Sequence, residues 1–192
     1  LDLIVEAEMP YNWIPKLSDY CSNNNIHFLS SPFDTDSVDR LKSYVPAFKI
    51  ASSMLSHYPL LEYIAKTGKP VIASTGAHTR EEVQEAVNIL QDAGVKNIVL
   101  LHCVSAYPTP LDQINVSAVR SLGEYFDIPV GFSDHTLDPT IAPTAAVSHG
   151  ASVIEKHFTV DRTLEGMDHS HSLEPTELSE MVNAIRATEK SQ

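Results

Sequence analysis

The sequence predicts an α/β fold with a parallel sheet, built either as a doubly wound sheet or as a (β/α) barrel. Short apolar or β-branched runs recur along the chain, and helical periods separate them at intervals of roughly 20–30 residues, the pattern of βα units. Strands that are apolar along both faces are typical of a parallel sheet covered by helices. A complete eight-unit barrel takes about 250 residues. With 192 residues and six recognisable units, a barrel would be incomplete by about two units.

Six segments are predicted as strands because each is a short apolar run bounded by polar residues, glycine or proline. Each run is too short for a typical helix, and several are rich in valine and isoleucine. In chain order the predicted strands are Phe28–Pro32, Ala47–Ser52, Pro70–Thr75, Asn97–Cys103, Pro129–Ser133 and Ser152–Phe158.

Helical periods fill the intervals between these strands. Region 79–90 has apolar residues at i, i+3, i+4 and i+7, and Thr79 with Glu82 forms a capping-box signature before them. Asp34 is a candidate N-cap for another helix, and Gly68 is a candidate C-terminal stop for a third. A lead-in helix near residues 13–21 and a final helix entered through Pro175 complete the set.

Composition and charge exclude two classes of partner. The formal net charge is −12, which argues against a nucleic-acid surface because such surfaces rely on many Lys and Arg contacts to phosphates. We find no uninterrupted apolar stretch of about 18 residues, so no membrane span is predicted. Leu1 to Pro10 lacks the basic cluster of a secretory signal. With Cys21 and Cys103 far apart, a cytoplasmic protein is the expectation.

Polar residues concentrate where the predicted strands end. In parallel α/β folds, ligands bind at the carboxyl ends of the strands. A single serine there can equally be a cap for the following helix, but the recurrence at every strand favours a site. The polar segments are Ser30–Asp34, Lys49–Ser52, Ser74–Gly76, His102–Pro108, Gly131–Thr136 and Glu155–Phe158.

Two histidines are candidate metal ligands. His135 and His157 each end a strand in adjacent units, so their imidazoles can converge on one divalent cation and leave positions open for water or substrate. Asp168 adds a nearby carboxylate, and His169 and His171 add further imidazoles. The alternative is that these histidines are ordinary core residues with satisfied hydrogen bonds.

A lysine within an apolar strand is a candidate anion ligand. An unpaired ammonium at Lys49 would be costly, so it either forms a structural ion pair, with Glu155 or Asp134 as possible partners, or binds an anionic substrate. In the second case Ser52, Ser74, Thr75 and Ser133 would add directed hydroxyl donors to the point charge of the lysine. Neither a nucleotide P-loop nor a dinucleotide-binding glycine motif occurs in the sequence.

The ordered set of these motifs closely resembles the N-acetylneuraminate (sialic acid) synthase family, or NeuB family. This family includes pseudaminic and legionaminic acid synthases and the related spore coat polysaccharide enzymes. Each motif is short, but their order is specific, and the resemblance runs from about residue 10 to the end of the chain. The motifs are the six strand-end segments together with Asp168-His169 and Ser172-Leu173-Glu174-Pro175.

The resemblance implies a TIM-type (β/α) barrel that condenses phosphoenolpyruvate with an N-acylated hexosamine such as N-acetylmannosamine in carbohydrate biosynthesis. It also implies a divalent metal, commonly manganese, with magnesium or cobalt as alternatives, held by His135 and His157. Tyr107 and Asp168 match positions that contact the acceptor sugar. The implied phosphoenolpyruvate pocket consists of Ser31, Lys49, Ser52, Ser74, Ser105 and Ser133.

The sequence departs from the family pattern in three ways. Two earlier strands, which carry a glutamate and a Lys-x-Gln phosphate-binding segment, are expected to be absent. The family's C-terminal antifreeze-like domain, which completes the partner's site in a homodimer, is also expected to be absent. Residues 1–192 are therefore expected to be about six of eight βα units, inactive if taken alone. Finally, Met54 stands where many members have an acidic residue.

Two other functions compete with this interpretation. One is a different metal-dependent aldolase or sugar-acid synthase on the same scaffold. The other is a non-catalytic carbohydrate- or anion-binding domain, which the expected absence of the first strands and the presence of Met54 would favour.

Overall fold

The computed structural model describes residues 9–192. Leu1 to Glu8, the greater part of the segment judged unlike a secretory signal, lies outside the described residues. The helices are α1 (Ile14–Asn23), α2 (Thr35–Leu41), α3 (Tyr58–Ala65), α4 (Arg80–Asp92), α5 (Ala118–Phe126), α6 (Ile141–Ser148) and α7 (Pro175–Glu189). The strands are β1 (Phe48–Ile50), β2 (Val71–Ser74), β3 (Ile98–Cys103), β4 (Val130–Asp134) and β5 (Val153–Lys156).

The five strands form one sheet in the order β1-β2-β3-β4-β5. β4 pairs in parallel with β3 on one side and with β5 on the other, and Asp134 of β4 lies opposite Lys156 of β5. Each strand is followed in sequence by a helix, so sequential parallel neighbours are joined by crossovers as in a β/α barrel.

The prediction of a strand at Phe28–Pro32 is wrong: this segment carries no regular secondary structure in the described residues. Phe28 and Ser31 are half-buried and Leu29 is exposed, so the run does not bury both faces as a central strand would. It also ends in Pro32, which has no N–H to donate to a ladder. Residues 9–192 therefore contain five strands instead of the six expected.

The described chain divides into two compact units. Of the described residues, the first holds residues 9–72 and Glu81–Ile98. Within it, the Asp34 side chain accepts a hydrogen bond from the Ser37 N–H at 2.7 Å and caps α2, as predicted. The predicted stripe of α4 is buried, as a helix with one core-facing side requires.

The second unit consists of Ala73–Arg80 and Val99–Gln192. α5 and α6 pack on β4, and α7 packs on α6. Their apolar residues form a core on the helix side of the sheet, composed of Ile114, Val119, Val130, Phe132, Ala142 and Ala146.

The final helix, α7, begins at a capping box in which the N-cap residue is a glutamate and not the usual serine or threonine. Glu174 is the N-cap residue, and Glu177 accepts a hydrogen bond from the Glu174 N–H at 2.9 Å. Pro175 occupies the first turn, where its missing N–H costs nothing. In the part of the chain that the structure describes, no helix has the length and apolar character needed to cross a membrane.

Candidate metal and substrate site

Successive side chains of β4 and β5 point to opposite faces of the sheet. Val130 and Phe132 belong to the helix-side core, so Asp134 faces the helices with them. The alternate residues face the other way. There the Ser133 hydroxyl donates to Glu155 Oε1 at 2.7 Å. His135 and His157 follow directly, and their ring centroids lie 5.2 Å apart. The two predicted metal-binding histidines are thus neighbours in space.

Hydrogen bonds from the loop after β3 fix the ring of His135. Its Nδ1 lies 3.0 Å from the Val104 carbonyl oxygen, and because a carbonyl can only accept, Nδ1 carries the proton. Nε2 is then left with the lone pair that a metal ion requires. Burial lowers the pKa of His135, which favours the neutral, metal-binding form. The Thr109 N–H donates to the His135 carbonyl at 2.9 Å and holds its backbone.

A second group of possible ligands shares His157. The ligand atoms of His157, Asp168 and His171 all lie within 4.8 Å of one another. Asp168 Oδ2 is 3.7 Å from His157 Nδ1, and Asp168 Oδ1 is 3.5 Å from His171 Nε2. His171 belongs to a single turn of 3-10 helix, His169–His171, that follows Asp168.

The donor set fits a divalent cation. Among the described residues, His171 Nε2 is buried with no hydrogen-bond partner, a costly state for a polar atom unless a further ligand satisfies it. Imidazole nitrogen and carboxylate oxygen are ligands that manganese and other first-row divalent ions accept. The structure therefore offers a possible His/Asp metal site.

Tyr107 covers this group of imidazoles. Its ring centroid lies 4.2 Å from that of His135, 5.6 Å from that of His171 and 6.1 Å from that of His157. The tyrosine is itself more than half exposed. A half-exposed aromatic ring beside these imidazoles is suited to contact a ligand that enters from solvent.

On the helix side of the sheet, a buried ion pair lies next to the histidines in sequence. Lys156 Nζ is 2.7 Å from Asp134 Oδ2, and the two side chains are 2% and 0% exposed. Burial lowers the pKa of Lys156, and the neighbouring Asp134 opposes that shift. Asp134, which the sequence offered as a structural partner for Lys49, is therefore paired with Lys156.

The structure brings together four of the predicted site residues. His135, His157, Tyr107 and Asp168 share the group described above. Ser133 donates its hydroxyl hydrogen to Glu155. Of the remaining predicted serines of the second unit, Ser74 is buried at the end of β2 and Ser105 is exposed in the loop after β3.

Three predicted residues lie in the first unit. Lys49, in β1, is half-buried, and its Nζ donates to the Ile50 carbonyl at 3.1 Å. Ser52 begins a short 3-10 helix directly after β1 that ends at Met54. Ser31 lies in the segment where a strand was wrongly predicted. Their assignment to a phosphoenolpyruvate pocket stays a prediction.

Sequence reasoning did not single out three residues that the structure places at the site. Glu155 was considered only as part of a strand-end motif and as a possible partner of Lys49, and Lys156 only as part of that motif, although charged residues in a buried strand signal paired partners. His171 was noted only as a nearby imidazole.

Comparison with known proteins decides the family. The family model described as "NeuB family" matches residues 1–192. The chain belongs to the NeuB family. The resemblance stated from the strand-end motifs is confirmed.

Several curated relatives of this NeuB-family chain cover nearly all of it. An uncharacterised protein of Methanocaldococcus jannaschii, MJ1065, is 50% identical over 98% of the chain and 56% of its own length. The spore coat polysaccharide biosynthesis protein SpsE of Bacillus subtilis is 46% identical over 97% of the chain and 51% of its own length. The N,N'-diacetyllegionaminic acid synthase of Campylobacter jejuni is 42% identical over 100% of the chain and 58% of its own length. The chain thus spans about half the length of these relatives.

Solved structures confirm the fold class. The N-acetylneuraminic acid synthetase of Leptospira borgpetersenii, solved with citrate, superposes with a TM-score of 0.94 at 37% identity, covering 99% of this chain and 66% of that one. A truncated 3-deoxy-D-arabino-heptulosonate 7-phosphate synthase of Thermotoga maritima superposes with a TM-score of 0.82 at 16% identity. The superposition covers 96% of this chain and 73% of that one. The second likeness concerns the fold alone. The prediction of a TIM-type β/α barrel, present in part, is confirmed.

Proposed function

We propose that the protein condenses phosphoenolpyruvate with an N-acylated hexosamine resembling N-acetylmannosamine, giving a nonulosonic (sialic-type) acid and phosphate. It would act in the cytoplasm with a divalent metal, manganese in the first instance, and as a homodimer at full family length. Membership of the NeuB family supports the reaction class. The observation that carries the proposal is the group of three imidazoles, a carboxylate and a tyrosine, which come from the carboxyl ends of β4 and β5 and from the loops after β3 and β5.

The proposed roles of the residues follow from their chemistry. His135 and His157 would hold the metal, with Asp168 and His171 beside them. A cation held there would supply Lewis acidity toward the acceptor carbonyl. Tyr107 and Asp168 would contact the acceptor sugar, and Lys49 would bind the phosphate or carboxylate of phosphoenolpyruvate together with Ser31, Ser52, Ser74, Ser105 and Ser133. Fixed donors of this kind contribute to the rate by positioning and electrostatics.

The reaction balances with water as the third reactant. The enol carbon of phosphoenolpyruvate forms a bond to the aldehyde carbon of the acceptor, and the aldehyde oxygen takes up a proton. Water adds to the carbon that bears the phosphate, and the C–O bond to phosphate then breaks; of the two protons of water, one balances the proton taken up by the aldehyde oxygen and the other leaves with the phosphate. The products are a 2-keto sugar acid and inorganic phosphate.

The test is a phosphate-release assay on the protein of full family length that carries this chain. We expect release to require both phosphoenolpyruvate and an N-acylhexosamine, and to stop when the metal is chelated. Release with a non-acylated aldose phosphate in place of the N-acylhexosamine would instead identify another sugar-acid synthase. If phosphoenolpyruvate binds but is never consumed, the binding-domain interpretation is correct.

Lys49→Met tests the proposed anion contact. We expect the Michaelis constant for phosphoenolpyruvate to rise by about tenfold or more, since a charge-assisted hydrogen bond contributes about 1.5–3 kcal/mol. The matched control is Lys66→Met, which removes an exposed lysine at the end of α3. An unchanged Michaelis constant in Lys49→Met would mean that Lys49 has only a structural role.

A further inference from the structure

The buried ion pair of Asp134 and Lys156 occupies a special position along the two strands. Asp134 directly precedes His135, and Lys156 directly precedes His157. The two charged residues face each other in the register of β4 and β5. The pair therefore links the strands at the last step before both histidines, on the opposite face of the sheet.

The pair also holds the backbone that follows His135. Asp134 Oδ1 accepts a hydrogen bond from the Thr136 N–H at 2.8 Å. Lys156 Nζ donates to the Thr136 carbonyl and lies 3.4 Å from its hydroxyl. Both polar groups of the Thr136 backbone are thus bound by the same two side chains. His135 lies between residues 134 and 136, so its position is constrained from both sides.

Stability alone is a poor reason for this arrangement. Burying two charges costs several kcal/mol per ion, and well-packed apolar residues in their place often give an equal or greater free energy of unfolding. The unit already has an apolar helix-side core around Phe132 that could extend to this point. What apolar residues cannot supply is directed hydrogen bonding to Thr136, which fixes geometry.

We propose that Asp134 and Lys156 form a positioning pair that sets the spacing of the His135 and His157 rings for metal binding. The pair acts through the histidines and does not touch the metal or the substrate. Outer-shell contacts of this kind orient ligands, and their loss costs about 10–100-fold in metal affinity. The inference rests on the proposed metal-binding role of the two histidines.

The test uses the double variant Asp134→Asn/Lys156→Met, which removes both charges together and so leaves no unpaired buried ion. We expect the dissociation constant for Mn²⁺, measured by calorimetry on the chain, to rise about tenfold or more, while the midpoint of thermal unfolding stays close to that of the wild type. The matched control is Arg186→Met/Glu189→Gln, which removes an exposed ion pair of α7 in the same unit. We expect Mn²⁺ affinity in this control to be unchanged.

A metal-free measurement separates this inference from the proposed function. In NMR spectra of the imidazole groups recorded without metal, we expect the signals of His135 and His157 to shift in the double variant. The signals of the exposed His27 should keep their wild-type positions. If the wild type binds no Mn²⁺, the metal proposal fails, and these signals alone decide the positioning role. Unchanged signals, or unchanged Mn²⁺ affinity in the folded double variant, would overturn it. Should the double variant not fold, Lys156→Arg, which keeps the charge and moves the donors, is measured in the same way and judged by the same outcomes.

Discussion

The candidate metal site combines two regions that are held in different ways. The strand ends carry His135 and His157, and the backbone and ring of His135 are fixed by hydrogen bonds to Val104 and Thr109. The loop that follows β5 carries Asp168 and His171, the second on a single turn of 3-10 helix that Asp168 precedes. Asp168 is 63% exposed, and its contacts to the imidazoles, at 3.5 and 3.7 Å, are longer than hydrogen bonds.

This difference indicates a division of roles. Ligands on rigid strands need little reorganisation on binding, so they contribute most to affinity. Ligands on a loop can adjust, so they suit contacts that form when substrate arrives. We therefore expect the strand-end histidines to determine how tightly the metal binds, and Asp168 and His171 to respond to the ligand.

The largest expected effect comes from removing the strand-end imidazoles. His157→Ala and His135→Ala should each weaken Mn²⁺ binding by about 100-fold or more, because each removes a direct ligand whose second-shell partners alone contribute 10–100-fold. His171→Ala should weaken it by less than about tenfold, since the loop ligand is the adaptable one. Calorimetric titration with Mn²⁺ measures all three.

The control for this series is His27→Ala, which removes an exposed histidine of the first unit. The comparison would be reversed if His171→Ala abolished binding while His135→Ala did not. The metal would then be held by His157, Asp168 and His171, and the prediction of His135 as a ligand would be wrong.

The strand ends were predictable from the sequence because their signals are local. A strand that ends in Ser-Asp-His or Glu-Lys-His presents its polar residues at the edge where ligands bind, whatever the rest of the fold does. The helix periods and the Asp34 cap were predictable for the same reason. The reaction class required the ordered family motifs, since a β/α barrel hosts many chemistries.

What the sequence could not supply depends on register and on non-local contacts. Lys156 meets the Asp134 carboxylate because the register of β4 and β5 places the two residues opposite each other. That register is set by the whole sheet and not by the local sequence. The burial of His171 depends on how a loop folds back after β5. Phe28–Pro32 has a strand-like composition but lacks the burial on both faces that a central strand requires.

We expect an intermediate effect on stability from a substitution in β4 below the strand ends, at Gly131. A Cβ added at Gly131 would lie 2.3 Å from the Val153 carbonyl oxygen and 2.6 Å from Leu101 Cδ2. Because the first clash is with backbone, β4 and β5 must separate, and Gly131→Ala should lower the free energy of unfolding by about 1–3 kcal/mol or more. Chemical denaturation measures the change, and Mn²⁺ affinity should fall with it.

Gly123→Ala is the matched control for this prediction. Gly123 lies within α5, and its added Cβ would be 3.4 Å from a Val130 methyl group, a side-chain contact that can adjust. In a helix interior, alanine is favoured over glycine by about 0.5–1 kcal/mol, so this variant should be neutral or stabilised. If Gly131→Ala were equally well tolerated, β4 and β5 would not be rigid enough to make the strand-end histidines the firmly held ligands.

The smallest effect is expected on the loop side, where the supporting contacts are half-exposed. Arg162, after β5, donates to Glu177 of α7 and to the Ser172 carbonyl, which ties the loop to the helix. The hydrogen bond from Arg162 holds the pKa of Glu177 below its ordinary value of 4.5. A lowered carboxyl pKa contributes stability that is fully present above the unfolded-state pKa and is lost as the pH falls through the folded-state pKa.

Glu177→Gln should therefore lower the free energy of unfolding at neutral pH by about 1 kcal/mol or less, the range of exposed ion pairs. The difference between wild type and variant should shrink as the pH falls below 4.5, the ordinary pKa of the group. Urea denaturation at several pH values measures it. A constant difference across this range would show that packing around Glu177 matters and its charge does not. A loss as large as that of Gly131→Ala would mean that the loop is held as firmly as the strands, and the adaptable role of Asp168 and His171 would have to be given up.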